Sequence, residues 1–124
     1  MDRRKALLNL YDVAPFEHHP LWRGVMSKEL SYQEVIDAEM QHMLRTRAGQ
    51  RLRREALEVA EKVSPEIFEF LLQTYLEECT QDDTGPSHLQ LIERLVTLGG
   101  KSKEDMDVAL NTPGNAAAIA LSLQ

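Results

Sequence analysis

Residues 70–100, FLLQTYLEECTQDDTGPSHLQLIERLVTLGG, contain two apolar helical runs on either side of a short acidic turn. Gly85-Pro86-Ser87 breaks the first run, and His88 opens the second. Carboxylates and an imidazole that converge at a helix junction are suitable donors for iron or another divalent metal. The same residue types also occur at an ordinary solvated helix end, so both interpretations stay open. The acidic residues of the turn are Glu77, Glu78, Asp82 and Asp83.

A long helix is predicted ahead of this stretch. Ser31 and Glu34 have the spacing of a capping box, in which the serine hydroxyl accepts a hydrogen bond from the Glu34 amide and the Glu34 carboxylate accepts one from the serine amide. We therefore expect a helix from Tyr32 to about Lys62. A single apolar stripe runs along it, formed by Ile36, Met40, Met43, Ala48, Leu52, Ala56, Val59 and Val63.

Between this helix and the acidic turn, Ser64-Pro65 has the pattern of a helix cap followed by a proline at the first helical position. The residues from Ile67 to Leu76 are apolar on two sides of the helix that follows. A helix of this kind is typical of the centre of a bundle, because both of its sides need a packing partner. The sequence therefore predicts that this helix is central.

Shorter helices are expected toward both ends of the chain. Asp2 to Tyr11 reads as a short amphipathic helix, and Pro20 suits the first position of another that runs to about Lys28. After the terminating pair Gly99-Gly100, Ser102 caps a helix that ends near Leu110, and Thr112-Pro113 starts the last one. No segment alternates between apolar and polar residues with period two. The predicted fold class is all-α, a helical bundle.

Length and charge limit the classes of function. The 124 residues suit a single domain, divided into an N-terminal helix and connection (1–16), core helices (17–100) and short C-terminal helices (101–124). No apolar run is long enough to span a membrane and no signal sequence is recognisable, so we expect a cytoplasmic protein. A net charge of -6 argues against nucleic acid as a partner. The single cysteine, Cys79, excludes a disulfide within the chain.

The order of motifs resembles the haem-oxygenase-like superfamily, and within it the group that contains the TenA thiaminases, the pyrroloquinoline-quinone synthase PqqC and the haem-oxygenase-like di-iron oxidases. The resemblance covers most of this chain but only about the first half of that family's fold. It therefore implies half of a haem-oxygenase-like bundle, completed by a second copy in a dimer or by another subunit. The motifs that carry the resemblance are His19-Pro20-Leu21-Trp22, Glu29-Leu30-Ser31, the turn from Glu78 through Asp82, Asp83, Gly85 and His88 to Leu91, and the helix end Leu95-Val96-Thr97-Leu98-Gly99.

Residue by residue, the resemblance assigns two metal ligands, Asp82 and His88, although the family usually has a glutamate where this chain has Asp82. Glu78, one helical turn before Asp82, would be an auxiliary ligand or a catalytic base. The implied metal is iron. The alternative is that the site is vestigial, with Asp82 and Asp83 solvated and His88 serving as a polar helix start.

A second group of candidate residues lies on the long helix. Glu39 and His42 have the Glu-x-x-His spacing that di-iron carboxylate proteins use. The family places no ligand on this helix, but the helix lines the central cavity of its members. A partly buried histidine with a local carboxylate partner is the interpretation favoured for this pair. We treat Glu39, His42 and Tyr75 as cavity-lining residues.

The resemblance implies an iron-dependent oxidase that acts on a small organic molecule. The alternative is a non-catalytic helical module of the same fold that binds a partner protein or a small molecule. Binding of stoichiometric metal distinguishes the two. A third interpretation is that the chain is the truncated product of a longer gene.

Overall fold

A computed structural model describes residues 2–81 and 85–122, and the regular elements of these residues are helices. The predicted all-α class is therefore confirmed, whereas the haem-oxygenase-like arrangement of the helices stays a prediction. Between α1 and α2 the chain forms a 3-10 turn, Phe16–His18. The helices are α1 (Arg3–Val13), α2 (Pro20–Ser27), α3 (Tyr32–Val63), α4 (Pro65–Cys79), α5 (His88–Leu98), α6 (Lys103–Val108) and α7 (Pro113–Ser122).

The chain separates into two compact units, Met1–Val35 and Ile36–Gln124. The prediction of one domain with three segments is not tested by this division and stays a prediction. None of the described helices combines the length and the apolar character that crossing a membrane requires.

Local capping sets the helix ends of the first unit. The carboxylate of Asp2 accepts a hydrogen bond of 3.0 Å from the Arg4 amide at the start of α1. His19 Nδ1 accepts one of 3.2 Å from the Leu21 amide and so caps α2, ahead of Pro20 at the first helical position. Helix α2 ends at Lys28, which has a left-handed conformation with φ 58°.

Helix α3 begins as its sequence predicts. The Ser31 amide donates to Glu34 Oε2 over 2.7 Å, and the Glu34 amide donates to Ser31 Oγ over 3.2 Å. The two hydrogen bonds of the capping box are thus both present. The predicted apolar stripe, however, is buried mainly in its first half, since Val59 and Val63 are exposed.

The core of the second unit joins α3, α5 and α6. Its buried side chains are Met40 and Met43 from α3, Ile92 and Val96 from α5, and Met106 from α6. Helix α5 ends at the Gly99 that the sequence predicts as a terminator. Arg47 ties the three helices together, because its guanidinium donates to Glu93 Oε1 over 2.8 and 3.2 Å and to the Met106 carbonyl over 3.3 Å.

Helix α4 is not the central helix that its composition predicts. None of its residues is fully buried, and Phe70 exposes 71% of its surface. The expectation is wrong for the chain by itself. Apolar residues on two sides of a helix indicate that it needs packing partners, but they do not indicate that the same chain provides them. Helix α4 nevertheless packs beside α5 and so places its last turn next to the start of that helix.

Polar contacts fasten the C-terminal helices to α3. Gln41 is the centre of this attachment: its side chain donates to the Leu110 carbonyl over 2.9 Å and accepts from the Thr112 amide over 2.9 Å. The Asn115 side-chain amide adds a 3.0 Å hydrogen bond to the Gln41 carbonyl. Lys101 Nζ also contacts Asp37 Oδ1 over 2.6 Å. Helix α7 is therefore attached to α3 through hydrogen bonds at its first turn.

Candidate functional site

The position of His88 is fixed by a capping box at the start of α5. Ser87, only 3% exposed, accepts a 3.3 Å hydrogen bond from the Gln90 amide through its hydroxyl. The Gln90 side chain in turn accepts a 2.8 Å hydrogen bond from the Ser87 amide. Because Ser87 takes the cap position, His88 becomes the first residue of the helix, as the sequence predicts.

The His88 imidazole is oriented by a carboxylate from the preceding helix. Its Nδ1 atom lies 2.8 Å from Glu78 Oε2, in the last turn of α4. The same Glu78 oxygen lies 3.6 Å from Nη2 of Arg53 on α3. Glu78 thus links three helices, and its negative charge faces both a cation and an imidazole.

A second pair of the same composition lies on α3. His42 Nδ1 is 3.0 Å from Glu39 Oε2, one helical turn earlier. Each side chain of this pair is about one-third exposed, at 32% for His42 and 30% for Glu39. The expected contact between a partly buried His42 and its local carboxylate partner is therefore present.

The two pairs meet through their imidazoles. The ring centroids of His42 and His88 are 5.4 Å apart, and the rings are inclined at 77°, so that one meets the other edge-on. We refer to Glu39, His42, Glu78 and His88 as the imidazole pair and its carboxylates. Two candidate groups that the sequence treats separately therefore form one cluster, with the order carboxylate, imidazole, imidazole, carboxylate.

The remaining candidates differ in position. Tyr75 is partly buried on α4, one turn before Glu78 and therefore on the same side of the helix. Asp82, the other ligand implied by the resemblance, lies outside the described residues together with Asp83.

Arg53 is the residue of this site that sequence reasoning misses. The arginines of residues 45–54 suggest a solvated face balanced by neighbouring glutamates or, alternatively, a site for an anionic substrate group. Arg51 does pair with Glu55 over 2.7 Å. Arg53 instead faces Glu78. A usable signal exists, because Arg53 follows His42 by three helical turns and so lies on the same side of α3.

Cys79 lies beside this cluster at the end of α4. Partial burial raises the pKa of its thiol above the ordinary value, while the positive charge of Arg53 acts in the opposite direction. A thiol with a raised pKa carries less thiolate at neutral pH and is a weaker nucleophile. The environment of Cys79 therefore does not favour thiol catalysis.

The cluster has two oriented imidazoles that suit a metal, but the described residues provide fewer donors than a metal site requires. A metal-binding histidine commonly directs one ring nitrogen to a carboxylate and keeps the other for the metal, and both imidazoles have a carboxylate at Nδ1. The 5.4 Å between the two ring centroids is within the ordinary range for two rings packed edge to face. Within residues 2–81 and 85–122, however, no set of three or more histidine, cysteine or acidic side chains is placed to hold a metal.

No protein-family model matches this chain, and neither a curated protein nor a solved structure gives a match. The resemblance to the haem-oxygenase-like superfamily therefore remains a prediction from the motifs.

Proposed function

We propose that this chain binds iron at His42 and His88 and acts as a metal-dependent oxidase of a small organic molecule. The contact between two imidazoles, each held by its own carboxylate, is the observation that supports this proposal. Completion of the bundle by a second copy, in a dimer, or by another subunit belongs to the same proposal. The haem-oxygenase-like fold belongs to it too, with the difference that His42 would be a ligand on a helix where that family places none.

The proposal gives each residue of the cluster a role. Glu39 and Glu78 fix the orientation of the two rings and hold a proton at Nδ1, which leaves Nε2 of each ring for the metal. Arg53 balances the charge of Glu78. Asp82 would provide a carboxylate ligand, and Tyr75 would line the cavity beside the site. When bound, iron would supply the oxygen activation that oxidation of an organic substrate requires.

Metal analysis combined with native mass spectrometry tests this proposal. Protein from iron-supplemented medium should carry iron at near-integer stoichiometry per assembly. His42→Ala and His88→Ala should each abolish it, whereas His18→Ala, at an exposed histidine of the first unit, should not. Glu78→Gln should weaken metal affinity by about 10–100-fold, as expected for a carboxylate that orients a ligand.

The outcomes separate metal binding from oxidase activity. A folded protein that takes up no iron, or that retains iron in both histidine variants, would refute the site. Iron that binds without oxygen consumption across a panel of small organic molecules would preserve the metal site and refute the oxidase.

The alternative function is a non-catalytic helical module that binds a partner. Exposed apolar side chains favour it: besides Phe70 on α4, Leu91 and Leu98 of α5 expose 50% and 80% of their surface. Exposed apolar patches often mark interaction surfaces. A metal-free wild-type protein whose stability is unaffected by the two histidine substitutions would favour this module over the oxidase.

A further inference from the structure

A groove separate from the imidazole pair runs between α5 and α6. It has a volume of about 800 Å³, within the usual range for small-molecule sites. Helix α5 contributes Arg94 and Leu98 to it, and α6 contributes Lys103 and Met106. Each of the two helices therefore contributes a cationic and an apolar residue to the groove.

The net charge of the described groove lining is opposite in sign to the net charge of the whole chain. The described lining has three cationic side chains, Arg47, Arg94 and Lys103, and two carboxylates, Glu93 and Asp107. Their sum is +1, whereas the chain has a net charge of -6. Cationic groups in a concave surface concentrate the local field and attract anions.

Only part of this positive charge is already engaged. Arg47 forms hydrogen bonds with Glu93 and with the Met106 carbonyl, and so stabilises the packing of the core helices. Arg94 and Lys103 are exposed and form no ion pair with any residue that the structure describes. Among the described residues of the groove, two cations therefore have no ion-pair partner and can meet a ligand.

We infer that the groove binds a small organic anion, meaning an oxyanion head group on an apolar body. The planar guanidinium of Arg94 matches the paired oxygens of a carboxylate or phosphate, and Lys103 adds a second positive charge. Leu98, which exposes 80% of its surface, offers apolar surface to the body of the ligand. Asp107 lies on the same groove and repels a second negative charge, so the groove favours a single head group over a polyanion.

Titration of isotope-labelled full-length chain, followed by amide chemical shifts, tests this inference. The probes are benzoate, phenyl phosphate and the neutral benzamide, which share an aromatic body and differ in head group. Benzoate or phenyl phosphate should shift the amides of 90–98 and 103–107, and the tighter of the two identifies the head group. Arg94→Gln and Lys103→Gln should each weaken that binding by about fivefold or more. The matched control is Lys62→Gln, an exposed lysine of α3 outside the groove, and it should leave affinity unchanged.

Three results would overturn the inference. The first is no shift of the groove amides at about 20 mM of either anion, which excludes even weak millimolar binding. The second is equal affinity for benzamide, which would indicate an apolar groove without recognition of charge. The third is unchanged affinity in both groove variants. Because the amide spectrum of each variant also reports its fold, loss of binding through unfolding is recognised directly.

Discussion

Replacing Gly99 by alanine tests how the core of the second unit is packed. Gly99 ends α5 with φ -75° and ψ 0°, a negative-φ conformation that is open to alanine. A Cβ atom at this position would lie 2.5 Å from Ile36 Cγ1 and 2.9 Å from Cγ2, with Cδ1 closer still. Ile36 is 0% exposed, so its side chain has no solvent to move into.

The cost follows from these distances. Nonbonded carbons prefer a separation of roughly 3.5–4.0 Å, so either α5 or Ile36 must move by about 1 Å. Overpacking a dense core costs about 1–3 kcal/mol, and a fully buried obstacle indicates the upper half of that range. Alanine offsets about 0.4–1 kcal/mol of this by restricting the unfolded chain. The expected net loss in the free energy of unfolding is therefore about 1–2.5 kcal/mol.

Urea unfolding followed by circular dichroism measures this loss. Gly114→Ala is the matched control, because a Cβ there has nothing within 4 Å, and it should be neutral or slightly stabilising. The double variant Gly99→Ala with Ile36→Ala should lose less stability than the sum of the single variants, since the added methyl group then fills vacated space.

Two results would refute this reasoning about Gly99. One is a Gly99→Ala variant as stable as Gly114→Ala. The other is full additivity in the double variant, because two side chains that compete for the same volume cannot act independently. Either result would show that the end of α5 does not pack on Ile36 as described.

Three further predictions concern other parts of the chain. Gln41→Ala should lower the free energy of unfolding by about 1–2 kcal/mol, because its side-chain hydrogen bonds are lost. Hydrogen exchange should then show faster amide exchange in 113–122 than in the wild type, with a smaller change in 36–63. Hydrogen bonds from Ser31 lower the pKa of Glu34 below its ordinary 4.5. The ionised Glu34 carboxylate therefore stabilises the fold fully above about pH 4.5, and this stabilisation is lost as the pH falls through the lower pKa of the folded state. The difference in urea midpoint between wild type and Glu34→Gln should accordingly disappear in acid, and a constant difference would contradict the capping box. Cys79, whose pKa burial raises, should react with a thiol reagent more slowly in the folded than in the urea-unfolded protein, and equal rates would contradict that burial.

The sequence by itself determined where the helices begin and end. Capping boxes and prolines act within three or four residues of chain, so Ser31, Ser64, Pro20 and Gly99 mark helix ends whatever the chain packs against. The contact of Glu39 with His42 is equally local, because residues three apart on a helix are neighbours.

Only the tertiary structure decided which of these local features meet. Glu78 reaches His88 because α4 packs beside α5, and His88 meets His42 although 46 positions separate them in the chain. Periodicity identifies an apolar side of a helix but not the partner that covers it. For this reason the predicted central role of α4 fails, and Val59 and Val63 of the α3 stripe stay exposed. Such contacts depend on how whole helices pack, and helix packing is set by the shapes of both surfaces rather than by either sequence segment.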